Sequence, residues 1–159
     1  MKQRVADYIA DFLVNKGITD VFSVVGGGSM FLNDAFGKKE GLHCTYNHHE
    51  QACTMAAEAY YKYKGKLALV CVTTGPGGTN TITGVLGAWQ DSIPLFIISG
   101  QVRYETTVDS TGLPLRQYGG QEHQIVNTVQ NITKYARMVK KPEDIKYYLQ
   151  KAYYMAMSG

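Results

Sequence analysis

A strand that is apolar on both faces places the strongest constraint on the fold of this chain. Residues 67–72 are all apolar, and a glycine-rich turn at 73–80 follows them. Such a strand is typical of a parallel sheet covered by helices on both sides. Further strands are predicted at 20–25, 42–46, 94–99 and 135–139, and helices at 3–16, 29–36, 49–64, about 80–89, 122–130 and 142–157. This alternation predicts an α/β fold with a single doubly wound, mainly parallel sheet.

Composition excludes several classes of partner. The chain has 159 residues, 45% of them apolar and 18% charged, which suits one domain with a sizeable core. Its net charge of +3 comes without a basic run with interleaved aromatics, so no nucleic-acid partner is predicted. No stretch approaches the roughly 20 apolar residues that span a membrane. Cys44, Cys53 and Cys71 lie in apolar elements, and we expect free thiols in a reducing cytoplasm.

Glu50 is the candidate catalytic residue, because it opens a small, apolar helix directly after the predicted strand at 42–46. In α/β proteins the carboxyl ends of the strands are where ligands bind. Ala52, Met55 and Ala56 are expected to give this carboxyl apolar surroundings. A Glu in the first turn also gains from the helix dipole, and by itself this structural explanation is the stronger one.

The glycine-rich turn and the paired histidines leave alternatives open. Residues 75–80 lie between a strand and a helix, as in a dinucleotide-binding fingerprint, but Asn80 replaces its last glycine. A Rossmann-like nucleotide-binding domain therefore remains an alternative, as does a tight turn that only packs closely. His48 and His49 are adjacent and have no histidine partner four residues away, so no metal site is predicted from this chain alone.

Four segments together point to a family. They lie at 21–28, 48–60, 73–80 and 91–101, and Gln121 and Glu122 follow them. In this order and spacing they resemble the N-terminal pyrimidine-binding domain of thiamine-diphosphate-dependent enzymes, in the group of acetohydroxyacid (acetolactate) synthase, pyruvate oxidase and pyruvate decarboxylase. The resemblance implies the thiamine-diphosphate-binding fold. It also implies a cofactor-activating domain of a lyase or carboligase that acts on 2-oxo acids.

The resemblance also implies roles for individual residues. The glutamate aligned with Glu50 bonds N1′ of the cofactor's aminopyrimidine and promotes removal of the proton at C2 of the thiazolium. Gln121 is the second catalytic residue and lines the substrate side of the site. Val24, Val25 and Gly26 resemble the family's first loop, which approaches the thiazolium. The glycine-rich turn at 75–80 packs near the pyrimidine. The cofactor-binding residues implied besides Glu50 are Val24, Val25, Gly26, Thr74, Gly75, Pro76, Gly77 and Asn80.

Three features depart from the family pattern, and the last two lie on the substrate side. Val25 stands where relatives commonly have proline, so this wall of the pocket differs. Gly120 stands where acetolactate-type synthases usually carry phenylalanine, and the loop at 103–118 is longer than theirs. These departures weaken any assignment of pyruvate as the substrate.

Length sets a further expectation. Enzymes of this group carry a central domain and a C-terminal domain that holds the diphosphate through Mg²⁺, and nothing in this sequence matches the latter. We therefore expect residues 1–159 to be one pyrimidine-binding domain of a longer protein, inactive in isolation. The resemblance implies a homodimer or homotetramer at full length and leaves FAD in a central domain open. A non-catalytic assembly domain is a further alternative.

Overall fold

The structure, a computed structural model, describes residues 2–159. Its strands are β1 (Asp20–Ser23), β2 (His43–Tyr46), β3 (Leu69–Val72) and β4 (Phe96–Ser99). Its α-helices are α1 (Val5–Asn15), α2 (Met30–Lys38), α3 (Glu50–Lys64), α4 (Pro76–Thr79), α5 (Ile82–Gln90), α6 (Val108–Thr111), α7 (Ile125–Val129) and α8 (Ile145–Met157). The strands form one parallel sheet in the order β2-β1-β3-β4, which confirms the predicted fold class.

The strand order creates a crevice at the carboxyl edge of the sheet. The chain runs outward from β1 to β2, and then returns to place β3 on the other side of β1. The connections that leave β1 and β3 therefore diverge in opposite directions. In open α/β sheets, ligands bind at this switch point.

Helices cover the sheet on both faces, and each face has its own apolar cluster. The larger cluster includes Leu13, Phe36 and Leu69, and α8 adds Leu149 to it. The smaller cluster lies under α3 and includes Cys53 and Val70. All four residues of β3 are buried, as its apolar sequence predicts. The burial of strand side chains on both sides is the main source of stability for such a sheet.

The C-terminal helix α8 packs through part of its aromatic residues. The ring of Tyr153 meets the ring of Phe12 edge to face, with centroids 6.3 Å apart. Tyr147 and Tyr154 are exposed instead. One face of α8 therefore packs against α1, and the other faces solvent.

The predicted strand at 135–139 is wrong: the structure assigns no strand or helix to this segment. Arg137 stacks over the ring of Tyr135, and its guanidinium donates to the carbonyl oxygen of Ala136 at 2.9 Å. In a strand, the carbonyl oxygen of Ala136 would accept a hydrogen bond from a neighbouring strand. Among residues 2–159, β4 pairs only with β3.

Two predicted helices also differ in detail. The helix predicted at 122–130 begins only at Ile125, because Glu122 and His123 accept hydrogen bonds from the preceding loop. The helix predicted at 29–36 begins at Met30. Ser29 does not cap it, because the hydroxyl oxygen of Ser29 accepts from Asn33 Nδ2 at 3.2 Å instead. Gly65 ends α3 in the left-handed conformation, which confirms the predicted stop.

Two glycines of α5 allow a matched test of how α5 packs on α3. A methyl group at Gly84 would overlap the hydroxyl of Thr54 and lie 2.7 Å from its Cβ, whereas one at Gly87 would meet only Glu58 Oε2 at 3.8 Å. We expect Gly84→Ala to lower the free energy of unfolding by about 1–3 kcal/mol through overpacking. Gly87→Ala should raise it by up to about 1 kcal/mol through helix propensity. Urea titration measures both, and similar effects of the two variants would contradict the close packing.

No helix between residues 2 and 159 has both the length and the apolar character needed to span a membrane.

Candidate functional site

The turns that leave β1 and β3 touch each other at the switch point. The backbone N–H of Gly28 donates to Thr73 Oγ1 at 3.0 Å. A Cβ at Gly26 would lie 2.5 Å from the Cβ of Thr73, a distance that side chains do not tolerate. Gly26 is thus required by the close approach of the Thr73 side chain, and a Cβ at Gly28 would crowd the backbone nitrogen of Thr74 at 3.0 Å. This contact fixes the floor of the crevice.

Glu50 begins α3 and points inward, with its side chain only 8% exposed. Cys53, Thr54 and Ala57 follow it at helical spacing on the same buried face. His49 caps the helix, since its Nδ1 accepts a hydrogen bond from the backbone N–H of Gln51 at 3.2 Å. The first turn therefore holds the carboxyl at the edge of the sheet, at the carboxyl end of β2.

The prediction of which residues surround the Glu50 carboxyl is largely wrong. Ala52 and Met55 are exposed, because positions two and five residues along a helix lie off the face of the first residue. The buried neighbours come instead from the helical face that begins with Glu50 and from the turn after β3.

One oxygen of the Glu50 carboxylate is engaged and the other is open. Asn80 Nδ2 donates to Oε2 at 2.9 Å. Oε1 has no hydrogen-bond partner within residues 2–159, and no fully buried side-chain oxygen there lacks one, so Oε1 reaches solvent. A Cβ on Gly77 would lie 3.7 Å from Oε1 and 2.8 Å from Thr73 Cγ2. The absence of a side chain at Gly77 keeps the space beside Oε1 clear.

The cysteines near the site are held as neutral thiols. Burial raises the pKa of Cys53 to about 11, and the nearby Glu50 carboxylate adds to the shift. Burial likewise raises the pKa of Cys71 to about 12. A thiol is nucleophilic only when ionised, so neither cysteine is a candidate nucleophile.

Gln121 is brought to the turn after β3 through its backbone. Gly75 has φ +58, and a Cβ there would overlap the carbonyl oxygen of Gln121. Gln121 itself has φ +61, which is unusual for a residue other than glycine. Its side chain is exposed and makes no hydrogen bond to Glu50 within residues 2–159. The two predicted catalytic residues thus lie on one edge of the sheet and are linked through the turn at 74–80.

Gln101 is a site residue that sequence reasoning missed. Thr74 Oγ1 donates to its side-chain oxygen at 2.5 Å, and the backbone N–H of Val102 donates to the same atom at 2.9 Å. Its amide nitrogen donates to the carbonyl oxygen of His123 at 3.2 Å. Gln101 therefore joins the turn after β3 to the segment that carries Gln121. Its position just beyond β4, at the same edge of the sheet, was the signal that could have identified it as a site residue.

Glu122 ties down the loop between β4 and α7 and makes it sensitive to acid. Burial alone raises the pKa of this carboxyl and Asp109 adds to that, but backbone N–H donors at Val108, Gly119 and Tyr118 outweigh both and lower it. A carboxyl with a lowered pKa stabilises the fold above its unfolded value of about 4.3 and loses that contribution as the pH falls further. We expect the amide protection factors of the loop, measured against the intrinsic exchange rate at each pH, to fall below about pH 4, before those of the strands. Simultaneous loss of protection in loop and strands would contradict this order.

The remaining predicted residues lie along the same edge. Val24 is half-buried, Val25 is 61% exposed, and Gly26 lies against Thr73. Thr74 is buried, whereas Pro76 is exposed at the first position of α4. The part of the chain that the structure describes contains no group of three or more His, Cys, Asp or Glu side chains suited to a metal ion.

The chain is similar to known proteins over most of its length. Residues 3–130 match the family described as thiamine pyrophosphate enzyme, N-terminal TPP binding domain. An acetolactate synthase large subunit of Buchnera aphidicola subsp. Schizaphis graminum is 36% identical over 155 residues, which is 97% of this chain and 26% of that protein.

Two further relatives are similar at the same level. The acetolactate synthase isozyme 3 large subunit of Escherichia coli is 35% identical over 154 residues, covering 97% of this chain and 25% of its own length. The chloroplastic acetolactate synthase of Arabidopsis thaliana is 34% identical over 157 residues, covering 97% and 22%. The chain thus spans about a quarter of the length of these relatives. It belongs to the family of N-terminal TPP-binding domains of thiamine pyrophosphate enzymes.

Proposed function

We propose that this chain is the cofactor-activating domain of a thiamine-diphosphate-dependent lyase or carboligase that acts on 2-oxo acids, similar to acetolactate synthase. The observation that carries the proposal is the Glu50 carboxylate. Its Oε2 is held by Asn80 at 2.9 Å, and its Oε1 is open beside a glycine. A carboxylate that is fixed on one oxygen and free on the other is placed to exchange a proton with a ligand.

The residues present fit an aminopyrimidine ring. The clear space beside Oε1, bounded by Gly77, suits a flat heterocycle, because a Cβ there would narrow it. When bound, thiamine diphosphate supplies a carbon nucleophile and an electron sink for decarboxylation. Glu50 would hold a proton at N1′ of the ring, and Asn80 would keep the carboxylate in the required orientation.

The other site residues divide between the two ends of the cofactor. Thr74, Gly75, Pro76 and Gly77 would form the wall beside the pyrimidine. Residues 24–26 would lie towards the thiazolium, with Val25 exposed to it. Gln121, seated against Gly75, would face the substrate.

The chain needs a second domain for this function. Its relatives are about four times as long, and residues 2–159 offer no cluster of metal ligands for a diphosphate-bound Mg²⁺. We therefore propose that residues 1–159 form a single pyrimidine-binding domain. A separate domain would bind Mg²⁺ and the diphosphate, in a homodimer or homotetramer with FAD as an optional further cofactor. We call this chain together with that domain the assembled enzyme. The free thiols of Cys44, Cys53 and Cys71 suit a reducing compartment such as the cytoplasm.

Calorimetry on the isolated chain tests the proposal against its alternatives. We expect weak binding of thiamine diphosphate, no binding of NAD or FAD, and no decarboxylation of pyruvate, because the diphosphate contributes most of the charge to be recognised. Tight NAD binding would instead support a nucleotide-binding domain. No binding of any of these ligands, together with an assembled enzyme that lacks turnover, would support a non-catalytic assembly domain. Robust decarboxylation by this chain alone would contradict the need for a second domain.

A further inference from the structure

We infer that Glu122 is a positioning residue, whose buried carboxylate clamps the loop at 104–119 and thereby holds Gln121 in its left-handed conformation against Gly75. The contacts are independent of any assigned activity. Only the consequence for substrate rests on the proposed function, in which Gln121 lies on the substrate side.

The carboxylate of Glu122 gathers backbone donors from both ends of the loop. Val108 N donates to Oε1 at 2.7 Å, while Tyr118 N and Gly119 N donate to Oε2 at 3.1 Å each. The side chain is 8% exposed, so these bonds are shielded from water. Hydrogen bonds to a charged group are worth about twice as much as neutral ones. One side chain therefore closes a segment that contains α6 and the irregular residues 112–117.

Gln121 needs such a clamp, because its backbone is strained. Residues 119–122 form a turn in which Glu122 N donates to the carbonyl oxygen of Gly119 at 3.2 Å. Gln121 occupies the third position of this turn at φ +61, where glycine is the favoured residue. A strained residue of this kind persists only when its surroundings over-determine it. Glu122 holds the residues before the turn, and Gln101 holds the carbonyl oxygen of His123 after it.

Other contacts of the loop are weaker candidates for this task. Asp109 forms an ion pair with Lys140 at 2.5 Å, but both side chains are about half exposed. Exposed ion pairs contribute little net stability. Glu105 lies in the same loop, is exposed, and its carboxylate makes no hydrogen bond within residues 2–159. Glu105 is therefore a matched control for the removal of one negative charge from the loop.

Amide hydrogen exchange of the full chain at neutral pH tests the clamp. Glu122→Gln should raise exchange at the amides of residues 108, 118, 119 and 122 by about 10- to 100-fold, since a charged acceptor is lost. Amides of β3 should be unchanged, and Glu105→Gln should alter neither set. Unchanged exchange at 108, 118 and 119 in Glu122→Gln would overturn the inference. If that variant leaves β3 unprotected, Glu122→Asp provides the same comparison, because the shorter side chain cannot reach both ends of the loop.

A second substitution separates positioning of Gln121 from simple tethering of the loop. In Glu122→Gln, the further change Gln121→Gly should return exchange of the residue 122 amide to within about threefold of the wild type, since glycine adopts positive φ without strain. The amides at 108 and 118 should remain fast, because their acceptor is still absent. Fast exchange at residue 122 in the double variant would show that strain at Gln121 is not what Glu122 opposes.

Kinetics of the assembled enzyme with pyruvate as a probe test the consequence for substrate. Gln121→Ala and Glu122→Gln should each raise KM more than they lower kcat. The double variant Gln121→Ala, Glu122→Gln should be no worse than Gln121→Ala alone, because both act through one side chain. Additive losses would overturn the positioning role even if exchange confirms the clamp. If the wild-type assembled enzyme turns over no 2-oxo acid, the proposed function fails, and the exchange experiments alone decide the inference.

Discussion

Glu50→Gln is expected to lower turnover of the assembled enzyme by roughly 10²- to 10⁴-fold, the range of a lost general acid–base group. In the wild type, Asn80 Nδ2 lies 2.9 Å from Oε2 of Glu50. The side-chain amide of the glutamine has nearly the size of the carboxyl, and its oxygen can still accept this hydrogen bond. It cannot hold or release a proton at Oε1. Steady-state kinetics with saturating thiamine diphosphate and Mg²⁺ measures the effect.

Glu58 provides the matched control for Glu50→Gln. It lies two turns further along α3, and its carboxylate pairs with Lys62 at 2.6 Å, away from the turn after β3. Glu58→Gln removes the same charge from the same helix and should leave turnover within about twofold of the wild type, as expected for an ion pair near the surface. Equal losses in the two variants would remove Glu50 from its assigned role, as would near-normal turnover in Glu50→Gln.

Gly75→Ala is expected to lower the free energy of unfolding by more than about 3 kcal/mol, near the upper range for a single substitution. Two costs combine at this position. The backbone has φ +58, which is unfavourable for alanine, and the new methyl group would overlap the carbonyl oxygen of Gln121. Because the overlapping atom of Gln121 belongs to the backbone, it cannot move away as a flexible side chain could. Urea titration measures the stability, and calorimetry should show thiamine diphosphate binding lost in the same variant.

Gly112 isolates the first of these costs, that of the backbone conformation. It has φ +65 and no atom within 4 Å of where its Cβ would lie, so Gly112→Ala pays only for the backbone conformation. That cost is about 1–2 kcal/mol. The difference between the two variants therefore reports the contact between Gly75 and Gln121. Equal destabilisation by Gly75→Ala and Gly112→Ala would mean that the segment carrying Gln121 does not rest on the turn after β3.

The sheet was largely predictable from sequence because its signals are local. The apolar run at 67–72 contains β3, and glycine at 65 ends the helix before it. The strand predicted at 135–139 was wrong because strand pairing depends on a distant partner edge. Residues such as Tyr135 and Val139 favour an extended chain. The guanidinium of Arg137, however, occupies the carbonyl oxygen of Ala136 that pairing would need.

The site was predictable in part for a similar reason. Glu50 is placed by a strand and a helix start, both readable from sequence, and the structure puts it at the sheet edge as predicted. Its partner Asn80 lies in the adjacent turn. The two bonds of Gln101 to Thr74 and His123, and the bond from Val108 to Glu122, join residues 14 to 27 positions apart. No periodicity encodes such contacts, so only the three-dimensional arrangement reveals them.

The central claim is that the Glu50 carboxylate activates a bound aminopyrimidine, and exchange of the C2 proton of thiamine diphosphate in D₂O tests it most directly. The measurement needs no 2-oxo acid, so it is independent of the undefined substrate. With cofactor bound to the assembled enzyme, Glu50→Gln should slow C2 exchange by roughly 100-fold or more relative to the wild type, while Glu58→Gln should not change it. Equal exchange rates in the wild type and Glu50→Gln, at equal cofactor occupancy, would contradict the claim.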